Sequence, residues 1–274
     1  MKREAGILMP ISSLPSNQGI GDFGKHPYRF IDAISKQNIH IWQILPLNPA
    51  GYGNSPYQPY SSFAGDEIYI SLDTLADYGL IKQSSVRNFN KFSDAVDFEG
   101  VRAFKEPYFR KAYKTFLKNF HQFEKEYQLF CSTAEWLYPY AVFIVLKRKN
   151  ENKPWQEWKK EERDWIDSRQ LSLEDMEDEI KYHQFLQFIF YKQWNDIKKY
   201  AEKHHVKILG DIPFYVGLDS ADVWQYKNQF LLDENGYPSF VAGVPPDYFS
   251  ETGQRWGNPI YDWNIMKKSF MIFG

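Results

Sequence analysis

Three short apolar runs share one pattern. Ile7-Leu8-Met9 runs into Pro10-Ile11-Ser12-Ser13-Leu14-Pro15, and Ile41-Trp42-Gln43-Ile44-Leu45 into Pro46-Leu47-Asn48-Pro49. Val206-Lys207-Ile208-Leu209 runs into Gly210-Asp211-Ile212-Pro213. Each predicts a buried strand that ends in a polar loop punctuated by Pro or Gly. From Pro27 to about Gln37, Phe30, Ile31 and Ile34 fall on one side, which predicts a helix, and Pro27 suits its first position. Strand, loop, helix, strand predicts a parallel α/β sheet or barrel.

Between the second and third runs, residues from about Thr74 to His205 read as a mostly helical insertion. Phe109, Tyr113, Phe116, Phe120, Phe123, Tyr127 and Phe130 alternate in steps of four and three, which puts them on one helical face. A stripe of this kind packs on a core. Ser132-Thr133-Ala134-Glu135 matches a capping box that would open a second helix from Trp136 to Lys147, with Pro139 near its first turns. A third helix is expected from about Glu179 to Lys203, with Leu186, Phe190, Trp194, Ile197 and Ala201 on one face. Gly217 to Trp263 shows little periodicity. Within it, Asp233-Glu234-Asn235-Gly236 predicts a hairpin tip. Long ordered loops of this kind commonly act as lids or binding loops.

Composition adds one feature. Aromatic residues make up 18% of the 274 positions, with 9 Trp, 19 Tyr and 22 Phe. A bulky core accounts for most of this excess, but such rings also form platforms for the apolar face of a sugar. A net charge of −2 offers no electrostatic footprint for nucleic acid. The mixed-sign cluster Lys147 to Arg163 is expected to be a solvated face. The single cysteine, Cys131, excludes an intramolecular disulfide and fits a reducing cytosol; a buried thiol is expected there rather than a nucleophile. Met1-Lys2-Arg3-Glu4 and the short apolar stretch before Pro10 form neither a signal peptide nor a membrane span, so a soluble cytoplasmic protein is expected. The six histidines show no zinc-ligand spacing, and no phosphate loop or nucleophile elbow appears. Gly19-Ile20-Gly21-Asp22-Phe23-Gly24 fits a dinucleotide fingerprint only superficially, because five residues, Leu14 to Gln18, separate it from the first strand. No metal or cofactor is expected.

Three segments carry chemistry. Asp211 follows Gly210 at the end of the third strand, where a barrel would present it to the active site; it reads equally as a ligand for sugar hydroxyls or as a cap of the next turn. Beyond it, Asp219 suits the N-cap of a turn from Ser220 to Trp224, and Asp222 lies nearby. Gly51-Tyr52-Gly53-Asn54-Ser55-Pro56-Tyr57-Gln58 offers two rings for stacking and Asn54, Ser55 and Gln58 for hydroxyls, or is an ordinary turn-rich loop. Val244-Pro245-Pro246-Asp247-Tyr248-Phe249-Ser250, continued by Gly253-Gln254-Arg255-Trp256-Gly257-Asn258-Pro259, reads as a stiff loop along an oligosaccharide groove or as a structural crossover.

Together these segments resemble glycoside hydrolase family 77, the amylomaltases or 4-α-glucanotransferases of the α-amylase clan. The resemblance is carried by Gly6-Ile7-Leu8 with Pro10 to Pro15, Gly19 to Asp22, and Trp42 to Leu47. Gly51-Tyr52-Gly53 with Ser55-Pro56-Tyr57, Gly210 to Pro213, Val244 to Phe249, and Gly257-Asn258-Pro259 complete it. It implies a partial (β/α)8 TIM barrel, α/β in class. Residues 1–73 would hold the first two strands and a glucan-binding loop, 74–205 the mainly helical insertion, and 206–274 the third strand and a substrate-covering loop.

The resemblance also implies transfer of α-1,4-glucan segments between maltooligosaccharides by a retaining double displacement, with no cofactor, nucleic acid or membrane partner. Tyr57 and Asp211 match positions near the reacting sugar, and Tyr52 a ring of a second glucan groove. Asp247 and Phe249 match a flexible loop over the cleft, and Ser55, Trp256 and Asn258 join the substrate-binding set. Retaining chemistry needs two carboxyl groups about 5–5.5 Å apart. The family carries its nucleophile on the fourth strand and its acid/base and third acid later, so all three are expected beyond Gly274. The ending Lys267 to Gly274 leaves the family pattern, as a frameshift or truncation would. The chain alone is therefore expected to be inactive, and the alternative is a non-enzymatic remnant or weak glucan-binding module.

Overall fold

The computed structural model describes residues 3–90 and 95–268. Its strands are β1 (Gly6–Leu8), β2 (Ile41–Gln43), β3 (Lys207–Leu209), β4 (Val241–Val244) and β5 (Gln254–Pro259). Its helices begin with α1 (Lys25–Lys36), α2 (Leu72–Asp77), α3 (Phe98–Lys118), α4 (Glu124–Thr133) and α5 (Leu137–Lys149). They continue with α6 (Lys160–Arg163), α7 (Trp165–Ser168), α8 (Glu177–Lys203), α9 (Ala221–Gln225) and α10 (Trp263–Lys268). The chain divides into two compact units: Met1–Leu47, Gly65–Glu135 and Lys181–Ile212 form one, and Asn48–Ala64, Trp136–Ile180 and Pro213–Gly274 the other.

The first unit holds a parallel sheet in the order β1-β2-β3, with Trp42 opposite Ile7 and Ile208. Only the central run is the buried strand expected, because β1 and β3 are edges of the sheet and leave Leu8 and Leu209 exposed. Trp42 is fully buried, meets Phe30 of α1 at a tilt with centroids 5.0 Å apart, and donates its indole N–H to the Met9 carbonyl at 2.8 Å. α1 starts two residues before the expected position, so Pro27 is third in the helix; its missing N–H still falls in the first turn, where no intrahelical bond is lost. Gly21 lies under the Ile11–Ser13 turn, where a β-carbon would stand 1.9 Å from the Ile11 carbonyl oxygen. That glycine packs backbone against backbone.

The aromatic stripe is a core feature, but it does not lie on one helix. α3 ends at Lys118, Phe120–Gln122 forms a 3-10 turn, and α4 follows. The turn folds the rings around Phe116, which meets Phe120, Tyr127 and Phe185 with centroids 5.5, 5.3 and 4.9 Å away. The expected capping box is absent. Ser132 and Thr133 donate their hydroxyls back to the Leu129 carbonyl, both at 2.9 Å, so they close α4. α5 begins at Leu137 without a side-chain cap, and Pro139 sits in its first turn.

In the second unit, α5 is buried on most sides, which places Phe143 against Trp158 and Trp224. The charge cluster expected to be solvated instead encloses core: Trp155, Trp158, Glu162 and Lys147 are all buried. Asn150 and Lys149 bind the Glu162 carboxylate at 2.8 Å each, and those bonds hold its pKa below the ordinary value although burial opposes them. The expected hairpin tip is present: the Asp233 and Gly236 amides bond across it to Tyr237 and Asp233 carbonyls, and Leu232 bridges Pro238. β4 and β5 form an antiparallel hairpin with a register shift between Val241 and Gly243.

Candidate functional site

The loop that carries Tyr52 and Tyr57 belongs to the second unit and is closed at its base. The Gly51 amide donates to the Gln58 carbonyl at 3.0 Å, and the Tyr60 amide to the Pro49 carbonyl at 2.9 Å. Inside it, Tyr52–Asn54 is a 3-10 turn, and Ser55 Oγ accepts the Tyr57 amide at 3.3 Å. The Tyr57 ring is 48% exposed, as a stacking platform requires. The Tyr52 side chain lies outside the described ones.

One wall of a cavity of about 520 Å³ comes from this loop through Gln58 and Tyr60. Pro154, Asp219, Trp256 and Asn258 supply others. Lys147 holds part of this lining in place. Its buried ammonium donates to the Lys153 carbonyl at 2.9 Å and to the Asp219 carboxylate, and it lies 5.6 Å from the centre of the Tyr60 ring. Asp219 is not the N-cap expected for α9; Ser220 is, accepting the Val223 amide at 3.2 Å. Burial raises the Asp219 carboxyl above its ordinary pKa, with Lys147 pulling the other way. Asn258 is buried and donates its amide to the Val216 carbonyl at 2.9 Å. Trp256 is 37% exposed and donates its indole N–H to Gln254.

Asp222 ties the loop to α9. Its carboxylate accepts the Ser62 amide at 2.7 Å and the Ser61 hydroxyl at 3.2 Å, while the Ala221 amide donates to the Tyr60 carbonyl at 2.8 Å. Burial pushes the Asp222 pKa up to about 6, although the bonds from Ser62 and Ser61 oppose the rise.

The remaining expected residues stand elsewhere. Asp247 caps the turn between β4 and β5, accepting the Phe249 and Ser250 amides at 2.9 Å each. Phe249 is 88% exposed and Tyr248 97%, so both rings stand in solvent. Asp211 follows β3 in the first unit and is partly buried. A β-carbon on Gly210 would meet no described protein atom within 4 Å, so the space beside it is open.

Sequence reading missed Tyr60, Lys147 and the role of Asp222. For Lys147 a signal existed, because it continues the apolar run Ala141 to Leu146. A second cavity, of about 550 Å³, is lined in part by the Leu231–Phe240 hairpin and holds two cations, Arg163 and Lys227; Lys227 is held by Asp164 and Asp167 at 3.7 and 3.3 Å.

The cavity beside the Tyr60 loop has rings, amides and a carboxylate in its lining, and no lysine or arginine among the described lining residues. That chemistry suits a neutral polyhydroxylated ligand better than an anion. No described group of residues could hold a metal ion, and no single described helix is long and apolar enough to cross a membrane. Fold and cavity together define the class: a barrel-type α/β protein with a hollow lined by rings, amides and a carboxylate.

Known proteins agree with that class. The 4-alpha-glucanotransferase family profile matches residues 9–271. The 4-alpha-glucanotransferase of Synechocystis sp. is 42% identical over 97% of this chain and 54% of its own length. The chloroplastic/amyloplastic 4-alpha-glucanotransferase of Solanum tuberosum is 37% identical over 97% of this chain and 48% of its own. The solved amylomaltase from Streptococcus agalactiae, in complex with acarbose, superposes with a TM-score of 0.90 at 38% identity, over 98% of this chain and 55% of that one. The chain belongs to the 4-alpha-glucanotransferase family, glycoside hydrolase family 77. It spans about half the length of the curated relatives it matches.

Proposed function

We propose that these 274 residues are the glucan-holding part of a 4-α-glucanotransferase, which moves α-1,4-glucan segments between maltooligosaccharides by a retaining double displacement. The observation that carries this reading is the hollow beside Tyr60, lined with rings, amides and the Asp219 carboxylate, in a chain 42% identical to a named 4-alpha-glucanotransferase. Tyr57 would stack on a sugar near the reacting bond, and Asp211 would accept sugar hydroxyls. Tyr52 would supply a ring of a second groove, with Ser55, Trp256 and Asn258 completing the contacts. Asp247 and Phe249 would cover the bound chain. A cytoplasmic setting belongs to the same proposal, and the free, partly buried Cys131 thiol fits it.

Retaining transfer needs a nucleophilic carboxylate and a second carboxyl group that acts first as acid and then as base. By the family resemblance, those groups follow the segments present in these 274 residues. Asp211 and Asp247 are therefore not assigned those roles, and Asp247 spends one carboxylate oxygen on two backbone amides. The chain alone is expected to bind glucan without turning it over. Incubation of the pure chain with maltotriose, followed by chromatography, tests this. Glucose and longer maltooligosaccharides, produced by the parent and lost in Asp211→Ala, would contradict it.

A further inference from the structure

Asp222 is a buried carboxylate at 3% exposure, and no cation among the described residues pairs with it. The groups that face it are few. On the loop they are the Ser61 hydroxyl, the Ser62 amide and the Ser62 hydroxyl. After β5 it is the Tyr261 phenol, which burial, with the Asp222 charge adding to it, pushes up to about 12, so that it stays protonated at any ordinary pH. The buried Lys147 ammonium is spent on Asp219 and the Lys153 carbonyl. An uncompensated buried carboxylate costs free energy unless hydrogen bonds offset it. Its retention here needs a reason beyond packing.

The direction of its hydrogen bonds supplies one. Ser61 Oγ accepts two amides, from Phe63 at 3.1 Å and Ala64 at 3.2 Å. Both lone pairs are then occupied, so the Ser61 hydroxyl has only its proton left to offer. That proton goes to one oxygen of Asp222, and the Ser62 amide donates to the other. Two donors therefore converge on two oxygens, and an ionised carboxylate accepts at both most strongly. Protonation weakens the acceptor that takes the proton, and an asparagine would turn one of those positions into a donor facing a donor.

The consequence reaches the cavity. Tyr60 precedes Ser61 and lines the hollow, and Leu218 and Asp219, just before α9, line it as well. We propose that Asp222 is a positioning residue for glucan: its ionised carboxylate fixes the register between the Gly51–Ser62 loop and the start of α9, and so sets the width of the sugar cavity. This rests on the glucan-binding reading above but concerns a residue that does not touch sugar.

The test compares the full chain with Asp222→Asn in calorimetric titrations with maltoheptaose across pH 5 to 8, alongside backbone hydrogen exchange, corrected for intrinsic rates. The parent is expected to weaken about tenfold as the pH falls through the Asp222 titration, the size expected for one charge-assisted hydrogen bond. Asp222→Asn is expected to be weak throughout and flat with pH. In the variant at high pH, exchange is expected to quicken at Ser62 and across Gly51–Tyr60 while α5 and α9 stay protected. Equal affinity and an equal pH profile in the two proteins would overturn the proposal. Should the parent bind no maltoheptaose, the glucan-binding reading fails, and exchange alone then decides the positioning role. Unchanged exchange across the loop in Asp222→Asn, or in the parent between high and low pH, would overturn it.

Discussion

Gly236 lies against the face of Trp155: a β-carbon there would stand 2.3 Å from the indole Cη2, and the glycine φ is +84°. Trp155 is itself buried and donates its indole N–H to the Leu218 carbonyl at 2.8 Å, so the hairpin tip braces a segment that lines the cavity beside Tyr60. Gly236→Ala would meet both a left-handed backbone and a filled space. We predict a loss of about 1–3 kcal/mol of stability in urea unfolding. A loss below about 0.5 kcal/mol would show that the tip moves freely off Trp155.

A second prediction concerns the buried pair in the first unit. Lys105 is wholly buried and donates to the Ile68 and Ile70 carbonyls at 2.7 and 2.9 Å, with Asp22 at 3.5 Å. Burial raises the Asp22 carboxyl and lowers the Lys105 ammonium, and each partner opposes the shift of the other. Lys105→Met leaves a buried carboxylate without its cation, and about 3–5 kcal/mol should be lost. Adding Asp22→Asn should recover part of that loss. A double variant that loses the sum of the two single changes would show that the pair is not coupled.

How far this was legible beforehand depends on the range of the interactions. The three parallel strands were visible because continuous apolar runs bounded by Pro and Gly mark their own limits: β2 and β3 fall within the runs at Ile41 and Val206, and β1 starts one residue before the run at Ile7. α8 was equally plain, expected from Glu179 and found from Glu177 to the same end at Lys203. The start of α5 was expected at Trp136 and is found at Leu137, but the cap was misassigned, because Ser132-Thr133 fits a cap at either end of a helix and only the carbonyl of Leu129 decides which. The turn-rich loops Gly51–Gln58 and Val244–Pro259 announced themselves by their glycines, prolines and rings. What braces them did not: Lys147 reaches Asp219 across 72 positions, and Asp222 reaches Ser62 across 160. No local pattern encodes contacts of that separation.

Asp222 also gives the protein a pH dependence whose sign is fixed. Its pKa is raised from 3.8 to about 6 on folding, so the folded state binds the proton more tightly than the unfolded chain. This contribution to stability is complete below about pH 4 and is lost as the pH rises through about 6, a swing on the order of 3 kcal/mol. The local cost of protonation, a loosened loop, runs against this global gain. Unfolding free energy measured between about pH 4 and 7 should therefore fall more steeply in the parent than in Asp222→Asn. Parallel curves would show that the carboxyl is not titrating in this window.

The parallel sheet should be the less protected part of the first unit. β1 and β3 are its edges, and Leu8 and Leu209 are 53% and 51% exposed. In contrast, Phe185, Ile189 and Ile197 of α8 are buried in the aromatic core. Unpaired strand edges open more readily than packed helix interiors. Hydrogen exchange should be slower across Phe185–Ile197 than across Lys207–Leu209. Equal, cooperative protection of both would show that the strands fold as firmly as the helix.

The central claim is that this chain holds an α-1,4-glucan in the hollow beside Tyr60, and the most direct measurement is the hydrogen-exchange footprint of maltoheptaose on the full chain. Added sugar should slow exchange at Gly51–Tyr60, Gly217–Asp219 and Trp256–Asn258, and leave the aromatic helices from Phe109 to Phe130 unchanged. No slowing at saturating sugar, or slowing confined to segments outside that lining, would contradict the account.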